Sequence, residues 1–311
     1  YTMFSKGTNE YAVCLDAADG SEIWKTRTGA KYMESHGNGP RSTPTIDGDQ
    51  LYTMGASGEL LALDATSGKV LWKRNLRMEF GSKRPTWGFT TSPLIEGNLV
   101  IVEAGAADKR AVMAFDKETG EVAWGSGEDP IGYSSPIAVD AVGGRQILFF
   151  TGAALVSLSP SSGALNWRHE WPNSINPAMP VFVAPDRVFV SSSYGIGGAM
   201  VQITKADTGL GAQELWFTKK MKNHFNSSVY HQGMLYGFDN AILTCLDAES
   251  GEVKWQTRAY GKGSLIYADG HLVVLSEDGK LAIVEANPNE HVEVSSAQIL
   301  SGRCWTAPSL A

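Results

Sequence analysis

The chain has 311 residues, of which 43% are hydrophobic and 19% are charged, and its formal net charge is −7. A chain of this length can bury a large core, and its acidic balance argues against nucleic-acid binding, which requires a basic face. No apolar run approaches the roughly 18 residues of a membrane-spanning helix, so we expect no membrane span. Nothing at the N-terminus resembles a signal peptide, but Tyr1 falls in the middle of a strand pattern, which leaves a processed or missing leader open.

One sequence unit recurs along the chain. Leu60–Trp72 reads LLALDATSGKVLW, and Val112–Trp124 reads VMAFDKETGEVAW. A later copy, Leu281–Val294, keeps the strand pattern but lacks the glycine and the tryptophan. Repeats spaced by about 40 to 50 residues are typical of propellers and solenoids. Six copies close on a tryptophan, namely Trp24, Trp72, Trp124, Trp167, Trp216 and Trp255.

Each position in the unit has a physical role. The apolar alternation before the aspartate predicts a strand. The aspartate, as in Asp64, opens a turn in which its carboxylate can accept backbone N–H groups, and the glycine, as in Gly68, supplies a positive φ. A second strand then ends at the tryptophan. Each unit is therefore predicted to be a β-hairpin whose tryptophan docks one sheet against its neighbour, a structural role.

Two further strands precede each hairpin. In the second repeat, Ser42–Ile46 forms a short inner strand and Leu51–Met54 returns after a turn. Four strands per repeat predict an all-β protein, a β-propeller of four-stranded antiparallel blades, with seven blades visible. The other predicted inner strands are Thr91–Ile95, Ser134–Val139, Ala178–Val183, Ser227–Tyr230 and Ser264–Tyr267.

The two ends of the chain carry the patterns of different strands of one blade. Tyr1–Phe4 matches a second strand, and Thr306–Leu310 matches an inner strand. We therefore predict a single domain over 1–311, in which the C-terminal inner strand, 306–310, completes the first blade and removes free sheet edges. The alternative is that both ends are truncated and the parent protein has an eighth blade.

The pattern D-x-x-[TS]-G-x-x-x-W, as at Asp64–Trp72 and Asp116–Trp124, resembles the tryptophan-docking repeat of the pyrroloquinoline-quinone (PQQ)-like β-propeller superfamily. The phrases at Gly39–Gly48 and Gly261–Gly270 are similar to PQQ-binding-like repeat proteins of planctomycete-type bacteria, which we expect to be the closest relatives. The resemblance implies a periplasmic or otherwise extracytoplasmic protein. The superfamily includes quinoprotein alcohol dehydrogenases and cofactor-free members such as the outer-membrane-barrel assembly lipoprotein, so the fold does not choose the function.

The resemblance also describes what a dehydrogenase site would contain. Family enzymes hold Ca²⁺ with carboxylate and amide oxygens, use an aspartate base and an aromatic floor, and usually have a disulfide between adjacent cysteines. Here Cys14, Cys245 and Cys304 are far apart in sequence, no calcium ligand can be matched by motif, and no CxxCH haem motif occurs. We therefore expect no catalytic residue, no metal and no cofactor, with PQQ and calcium as the alternative.

Propeller geometry indicates where a site would lie. The loops that run from an outer strand to the next inner strand gather on one face, around the channel mouth. Exposed aromatic rings beside arginine, asparagine and histidine can bind a planar or sugar-like ligand or a peptide, and clustered cations favour an anionic group. The alternative role is to tie adjacent blades together. The candidate ligand- or partner-binding residues are Arg41, Arg84, Trp87, Tyr133, Asn223, His224, Lys262, Arg303 and Trp305.

A column of small residues opens the inner strands. Six of its seven members carry hydroxyl groups, which can satisfy one another where strands converge. Both a structural ring and a polar ligand-binding neck fit this column. Its members are Ser42, Thr91, Ser134, Ala178, Ser227, Ser264 and Thr306.

Three functions follow. The favoured one is a non-catalytic, monomeric scaffold that binds a protein or envelope partner. The second is a PQQ-dependent alcohol dehydrogenase, and the third is a carbohydrate-binding propeller that uses Trp87, Tyr133 and Trp305. The six histidines are scattered without triad or metal spacing, so no nucleophile–base pair supports another enzyme class.

Overall fold

The computed structural model describes residues 1–207 and 209–310. In these residues it has 27 strands and one short helix. The strands form seven antiparallel sheets, six with four strands and one with three. There is one sheet for each sequence repeat, so the all-β prediction and the count of seven blades are confirmed.

In each sheet the strands are neighbours in chain order. The first sheet contains β1 (Thr2–Lys6), β2 (Asn9–Leu15) and β3 (Glu22–Ala30). The second contains β4 (Thr45–Asp47), β5 (Gln50–Met54), β6 (Glu59–Asp64) and β7 (Val70–Asn75), followed by helix α1 (Leu76–Phe80). The third contains β8 (Leu94–Glu96), β9 (Leu99–Ala106), β10 (Arg110–Asp116) and β11 (Val122–Ser126).

The remaining four sheets follow the same plan. The fourth contains β12 (Ile137–Ala141), β13 (Gly144–Phe150), β14 (Ala154–Leu158) and β15 (Leu165–Glu170). The fifth contains β16 (Val181–Val183), β17 (Arg187–Ser192), β18 (Gly197–Ala206) and β19 (Gly209–Thr218). The sixth contains β20 (Val229–His231), β21 (Met234–Asp239), β22 (Ile242–Asp247) and β23 (Val253–Thr257). The seventh contains β24 (Ser264–Ala268), β25 (His271–Leu275), β26 (Lys280–Glu285) and β27 (Glu293–Gln298).

The signature turn forms as the sequence predicts. In the second sheet, Asp64 Oδ1 accepts the backbone N–H of Ser67 at 2.7 Å, and the Gly68 N–H donates to the Asp64 carbonyl at 2.8 Å. The same contact recurs at Asp116, with the Thr119 N–H, and at Asp247, with the Ser250 N–H. Bonds from the Ser67 hydroxyl and then from its backbone N–H lower the pKa of Asp64, so the ionised carboxylate stabilises the turn.

The signature tryptophans dock on the turn of the following repeat. The indole Nε1 of Trp72 donates to the carbonyl of Lys117 at 2.7 Å, and the ring lies against Gly120. A Cβ at Gly120 would lie 2.7 Å from that ring, where there is no room for it. Glycine is therefore required both for its positive φ and for the indole that covers it. The same pairing occurs between Trp24 and Gly68.

The fourth repeat departs from this pattern. The Trp167 indole donates to the side-chain oxygen of Gln146 in its own sheet, at 2.8 Å, and nothing lies within 4 Å of a Cβ at Gly209. The hairpin of the fifth sheet is the reason, because β18 and β19 pair as far as Ala206 and Gly209. The turn therefore lies further along the hairpin than in the other repeats.

Most inner strands begin two or three residues later than predicted. The predicted Ser42–Ile46, for example, is found at Thr45–Asp47. The preceding residues bond to the next repeat instead, because the Thr43 N–H donates to Ser92 Oγ at 3.0 Å and Ser92 N–H donates to Ser135 Oγ at 2.9 Å. Hydroxyls of the predicted column also bond to main chain, as Ser264 Oγ does to the Thr306 carbonyl at 3.0 Å, which favours the structural interpretation.

Helix α1 was not predicted, since five residues are too short to show a helical period. Local signals do define it. Asn75 Oδ1 accepts the Met78 N–H at 3.0 Å, and Glu79 Oε1 accepts the Asn75 N–H at 2.6 Å, as in a capping box. Gly81 ends the helix in a left-handed conformation.

The chain divides into two compact units. Unit 1 comprises Tyr1–Ala138 and Leu158–Leu165, and unit 2 comprises Val139–Ser157 and Asn166–Ala311. Each has its own buried apolar side chains, centred on Tyr52 and Phe115 in unit 1 and on Tyr236 and Phe238 in unit 2. Residues 306–310 form no strand in the structure, and the pairing proposed for them, like the single domain over 1–311, stays a prediction.

Candidate functional site

The predicted site residues fall on inter-strand loops in both units. Arg41, Arg84, Trp87 and Tyr133 belong to unit 1, on the loops that precede β4, β8 and β12. The other five belong to unit 2, on the loops before β20 and β24 and after β27. They are Asn223, His224, Lys262, Arg303 and Trp305.

Tyr32, which sequence reasoning missed, joins the unit 1 residues. Its ring is buried, with 4% exposed. Its N–H donates to Glu10 Oε1 at 2.9 Å, and its hydroxyl donates to the Thr86 carbonyl at 2.8 Å. The guanidinium carbons of Arg41 and Arg84 each lie 5.3 Å from its ring centroid, within the range of cation–π attraction. Tyr32, Arg41, Arg84, Trp87 and Tyr133 are called the Tyr32 cluster below.

The two arginines of this cluster have different electrostatic surroundings. Arg41 Nη2 donates to the Gly37 carbonyl at 2.5 Å and lies 3.5 Å from the Glu34 carboxylate. Bonds from Ser35 and His36 lower the pKa of Glu34 to about 2, so this carboxylate is ionised and offsets the charge of Arg41. Arg84 is exposed, and the residues that the structure describes place no carboxylate in ion-pair contact with it.

Trp87 and Tyr133 form the aromatic part of the cluster. Both are half-buried, and their ring centroids are 5.3 Å apart at an interplanar angle of 58°. Tyr133 has a φ of 85°, which is costly for a residue with a side chain. Thr90 Oγ1 donates to its carbonyl at 2.6 Å and helps to hold it there.

The loop that carries Arg84 and Trp87 is fixed at several points. The Phe89 ring is buried, and its N–H donates to the Ala56 carbonyl at 2.9 Å. Gly88 approaches so closely that a Cβ would lie 2.8 Å from the same carbonyl oxygen. Together with the bond from Tyr32 to Thr86, these contacts fix the loop, so Arg84 and Trp87 are preorganised for binding.

A buried acid lies beneath Tyr133 and was also missed by sequence reasoning. Glu103, on β9, is 2% exposed, and its Oε1 accepts the Gly132 N–H at 3.0 Å. Burial, with a smaller contribution from Asp129, raises the pKa of Glu103 to about 8, so this side chain is mostly protonated at neutral pH. In the sequence, a glutamate within the apolar run Val100–Ala104 could have indicated a buried acid.

Trp305 in unit 2 is half-buried, like Trp87, but its indole is bonded within unit 2. Its ring centroid lies 4.7 Å from that of Phe225 and 4.8 Å from the Arg303 guanidinium carbon. Its Nε1 donates to Glu277 Oε1 at 3.1 Å, and the Cys304 N–H donates to the Glu277 carbonyl at 2.9 Å. Phe225, Glu277, Arg303 and Trp305, called the Trp305 cluster, hold the C-terminal segment on unit 2.

The remaining unit 2 candidates have mixed surroundings. Asn223 is buried and bonds to the Phe238 carbonyl at 3.1 Å and to Ser228 Oγ at 2.9 Å, which are framework contacts. Burial first, and then Lys262, lower the pKa of His224, whose ring lies 5.4 Å from that of Tyr194. The Lys262 N–H donates to Glu277 Oε2 at 3.2 Å.

A separate cleft of about 330 Å³ lies among the turns of unit 1. It contains none of the predicted site residues. Several of its polar groups bond to one another, since Lys117 Nζ lies 2.7 Å from Asp47 Oδ2 and Gln50 Nε2 donates to Glu118 Oε2 at 2.5 Å. The cleft therefore offers a ligand fewer free groups than the Tyr32 cluster does.

The absence of a bound metal ion stays a prediction. Over residues 1–207 and 209–310, no three His, Cys, Asp or Glu side chains converge closely enough to hold a metal ion. All three cysteines are free thiols. The absence of a cofactor stays a prediction. In the same residues no helix is both long enough and apolar enough to cross a membrane.

Together, the repeat, the docked tryptophans and the seven sheets define a β-propeller of the PQQ-like class. The protein family described as outer membrane protein assembly factor BamB matches residues 8–257, and the chain belongs to that family. The BamB of Yersinia pestis is 22% identical over 304 residues, which cover 93% of this chain and 73% of that protein.

Two solved structures show the same fold. The crystal structure of BamB from Moraxella catarrhalis matches with a TM-score of 0.68 at 17% identity and covers 99% of this chain and 88% of that chain. A europium-containing methanol dehydrogenase matches with a TM-score of 0.65 at 13% identity and covers 97% of this chain and 78% of that chain. Likeness at these identities shows the fold alone, since both a cofactor enzyme and an assembly factor share it. The planctomycete-type origin of the closest relatives stays a prediction.

Proposed function

We propose that this protein is a non-catalytic β-propeller scaffold in the bacterial cell envelope, that it lies in the periplasm, and that it binds a protein partner during the assembly of outer-membrane proteins. The observation that carries the proposal is the Tyr32 cluster, in which an exposed guanidinium without a carboxylate partner sits on a fixed loop beside a half-exposed indole. Arginine and tryptophan are the residues most enriched at the energetic centres of protein interfaces.

The family match supports the same conclusion. Residues 8–257 match a family described as an outer membrane protein assembly factor. Glu103 is enclosed beneath Tyr133, where its carboxyl group bonds to backbone N–H groups and to the Thr91 hydroxyl. The groups that the cluster exposes are the guanidinium and the aromatic rings, which suit recognition.

The test is crosslinked capture. The tagged chain is expressed in the periplasm of its own bacterium, crosslinked in intact cells and purified from the envelope fraction. We expect enrichment of components that assemble outer-membrane proteins over a capture with an unrelated periplasmic protein of similar charge. Recovery of no such component from cells in which the chain is folded and abundant would refute the scaffold function.

A thermal-shift titration with PQQ, with and without Ca²⁺, separates the scaffold from the dehydrogenase. A ligand that binds only the folded state raises the melting temperature, and at about 100 times its dissociation constant the gain is roughly 2.7 kcal/mol. We expect no calcium-dependent rise. A rise would identify a quinoprotein and contradict the proposal.

A further inference from the structure

We propose that the Tyr32 cluster docks an acidic segment of the partner protein, with Arg84 as the residue that pairs with its carboxylates. This inference rests on the proposed function, because it specifies the chemistry of the partner that the scaffold binds. Three observations carry it: Arg84 lacks the ion pair that Arg41 and Arg74 have, its loop is fixed, and aromatic rings lie beside it.

Arg84 is a cation without internal compensation. Arg41 lies 3.5 Å from the ionised Glu34, and Arg74 lies 3.6 Å from Glu79. Arg84 is exposed, and in the described part of the chain its contact is with the face of the buried Tyr32 ring. A guanidinium presents its N–H donors in a fork that fits a carboxylate with two parallel bonds.

The Tyr32 ring restricts the position of the Arg84 guanidinium. The Tyr32 ring is fixed through its bonds to Glu10 and Thr86, and Arg84 stacks on this ring at 5.3 Å. A stacked guanidinium has already lost much of its rotamer freedom, so less freedom is lost when a carboxylate binds. Lys83, also exposed, adds a second positive charge next in sequence.

The surroundings of Arg84 favour a peptide over a bare anion. Trp87 is three residues further on and half-exposed, with its ring against Tyr133. Met33, next to Tyr32 in sequence, is 66% exposed. An acidic segment that also carries an apolar or aromatic side chain would use the guanidinium and these apolar groups together.

The charge of the whole chain argues against an extended anionic surface as the occupant. The net charge is −7, so an anionic membrane would be repelled by most of the molecule and attracted only by this local patch. A short acidic segment can approach the patch alone. Salt screens the attraction between the patch and a more distant anionic group, because the Debye length is about 8 Å at physiological ionic strength.

The experiment measures binding of a labelled synthetic peptide of about ten residues, rich in aspartate and glutamate with one phenylalanine, by fluorescence anisotropy. A matched peptide has lysine in place of every acidic residue. The intact chain is compared with Arg84→Ala, Arg84→Lys and Arg258→Ala, the last removing an exposed arginine of unit 2. Melting curves establish that each variant is folded.

We expect the acidic peptide to bind and the lysine peptide to fail. Arg84→Ala should weaken binding of the acidic peptide by about tenfold or more, as the loss of a charge-assisted bidentate pair implies. Arg84→Lys should weaken it less, and Arg258→Ala should change it less than about twofold, since it lies outside the cluster. Higher salt should weaken binding to the intact chain more than to Arg84→Ala.

Equal binding of both peptides, or an equal loss with Arg84→Ala and Arg258→Ala, would overturn the inference. Tighter association with vesicles of anionic phospholipid than with the acidic peptide would also overturn it, because the occupant would then be a membrane. Crosslinked capture of assembly components that is unaffected by Arg84→Ala would leave the scaffold function standing and reject this site alone.

Discussion

The Tyr32 cluster of unit 1 and the Trp305 cluster of unit 2 contain the same types of residue and use them differently. In each, an arginine lies against an aromatic ring, at 5.3 Å in one and 4.8 Å in the other. In unit 2 the ring also contacts Phe225 and donates its indole N–H to Glu277, so the polar atom of this ring has its acceptor within the fold. In unit 1 the ring is buried and the Arg84 guanidinium faces solvent.

The difference teaches that a loop aromatic beside an arginine is not by itself a binding group. The two clusters differ in whether a carboxylate of the same unit contacts the polar group that could bind a partner. Glu277 does so for Trp305, whereas Glu34 serves Arg41 and leaves Arg84 without a counter-charge. We therefore expect the Trp305 cluster to contribute to stability and Arg84 to contribute to binding.

Among the substitutions considered, we expect the loss of a signature tryptophan to lower the free energy of unfolding most. Trp72 is 9% exposed, lies on Gly120 and donates to the Lys117 carbonyl. Trp72→Ala should lower the free energy of unfolding by about 3–5 kcal/mol. Chemical denaturation measures this loss, and a loss below about 1 kcal/mol would remove the docking role.

Two glycine substitutions separate backbone strain from loss of docking. Gly120 and Gly20 occupy the same turn position with φ of 69° and 75°, but a Cβ meets the Trp72 ring at 2.7 Å in the first and nothing within 4 Å in the second. Gly20→Ala should cost about 1–2 kcal/mol from the left-handed conformation. Gly120→Ala should cost roughly 2 kcal/mol more, because it displaces the indole. Equal costs by denaturation would show that the indole can move freely.

Trp305 and Trp87 give the direct stability comparison between the clusters. Trp305→Ala removes a ring that contacts Phe225 and Arg303 and leaves Glu277 Oε1 without its donor. The expected loss of unfolding free energy is about 2–3 kcal/mol. Trp87→Ala should cost about 1 kcal/mol, because the change removes the contact of this ring with Tyr133. The reverse order of the two losses would invert the assignment of the clusters.

The buried Glu103 gives unit 1 a pH dependence opposite in sign to that of Glu277 in the Trp305 cluster, whose pKa is lowered by bonds from Lys262 and Trp305 against the effect of burial. The pKa of Glu103 is raised from 4.5 to about 8, so between these values the unfolded chain releases a proton that the folded chain keeps. Stability therefore falls as pH rises from about 5 to about 8. Glu103→Gln keeps an acceptor for Gly132 and removes this fall, so at pH 8 it should be more stable than the unmodified chain by about 4 kcal/mol.

The control for this prediction is the difference between the two pH profiles. Burial also raises the pKa of Glu10 and lowers that of His224 and His291, and these groups contribute equally to both proteins. Parallel profiles from pH 5 to pH 8 would mean that Glu103 titrates normally.

The fold was predictable because its determinants are local and repeated. Asp64, Gly68 and Trp72 have physical roles that can be recognised from the sequence, and most of the seven copies keep these residues, so the irregular copies do not obscure the pattern. The inner-strand boundaries were not predictable, since Thr43 and Ser92 pair across repeats rather than along a strand. The site was predictable as a set of loops, but Tyr32 and Glu103 were missed because they look like ordinary core or strand residues until the chain is folded.

The most direct test of the account is crosslinked capture with Arg84→Ala beside Arg258→Ala. Both variants remove one exposed positive charge, and only the first lies in the Tyr32 cluster. The account predicts that Arg84→Ala loses most of the captured outer-membrane assembly components while Arg258→Ala keeps them, with both variants melting like the unmodified chain. Equal capture by the two variants would contradict it.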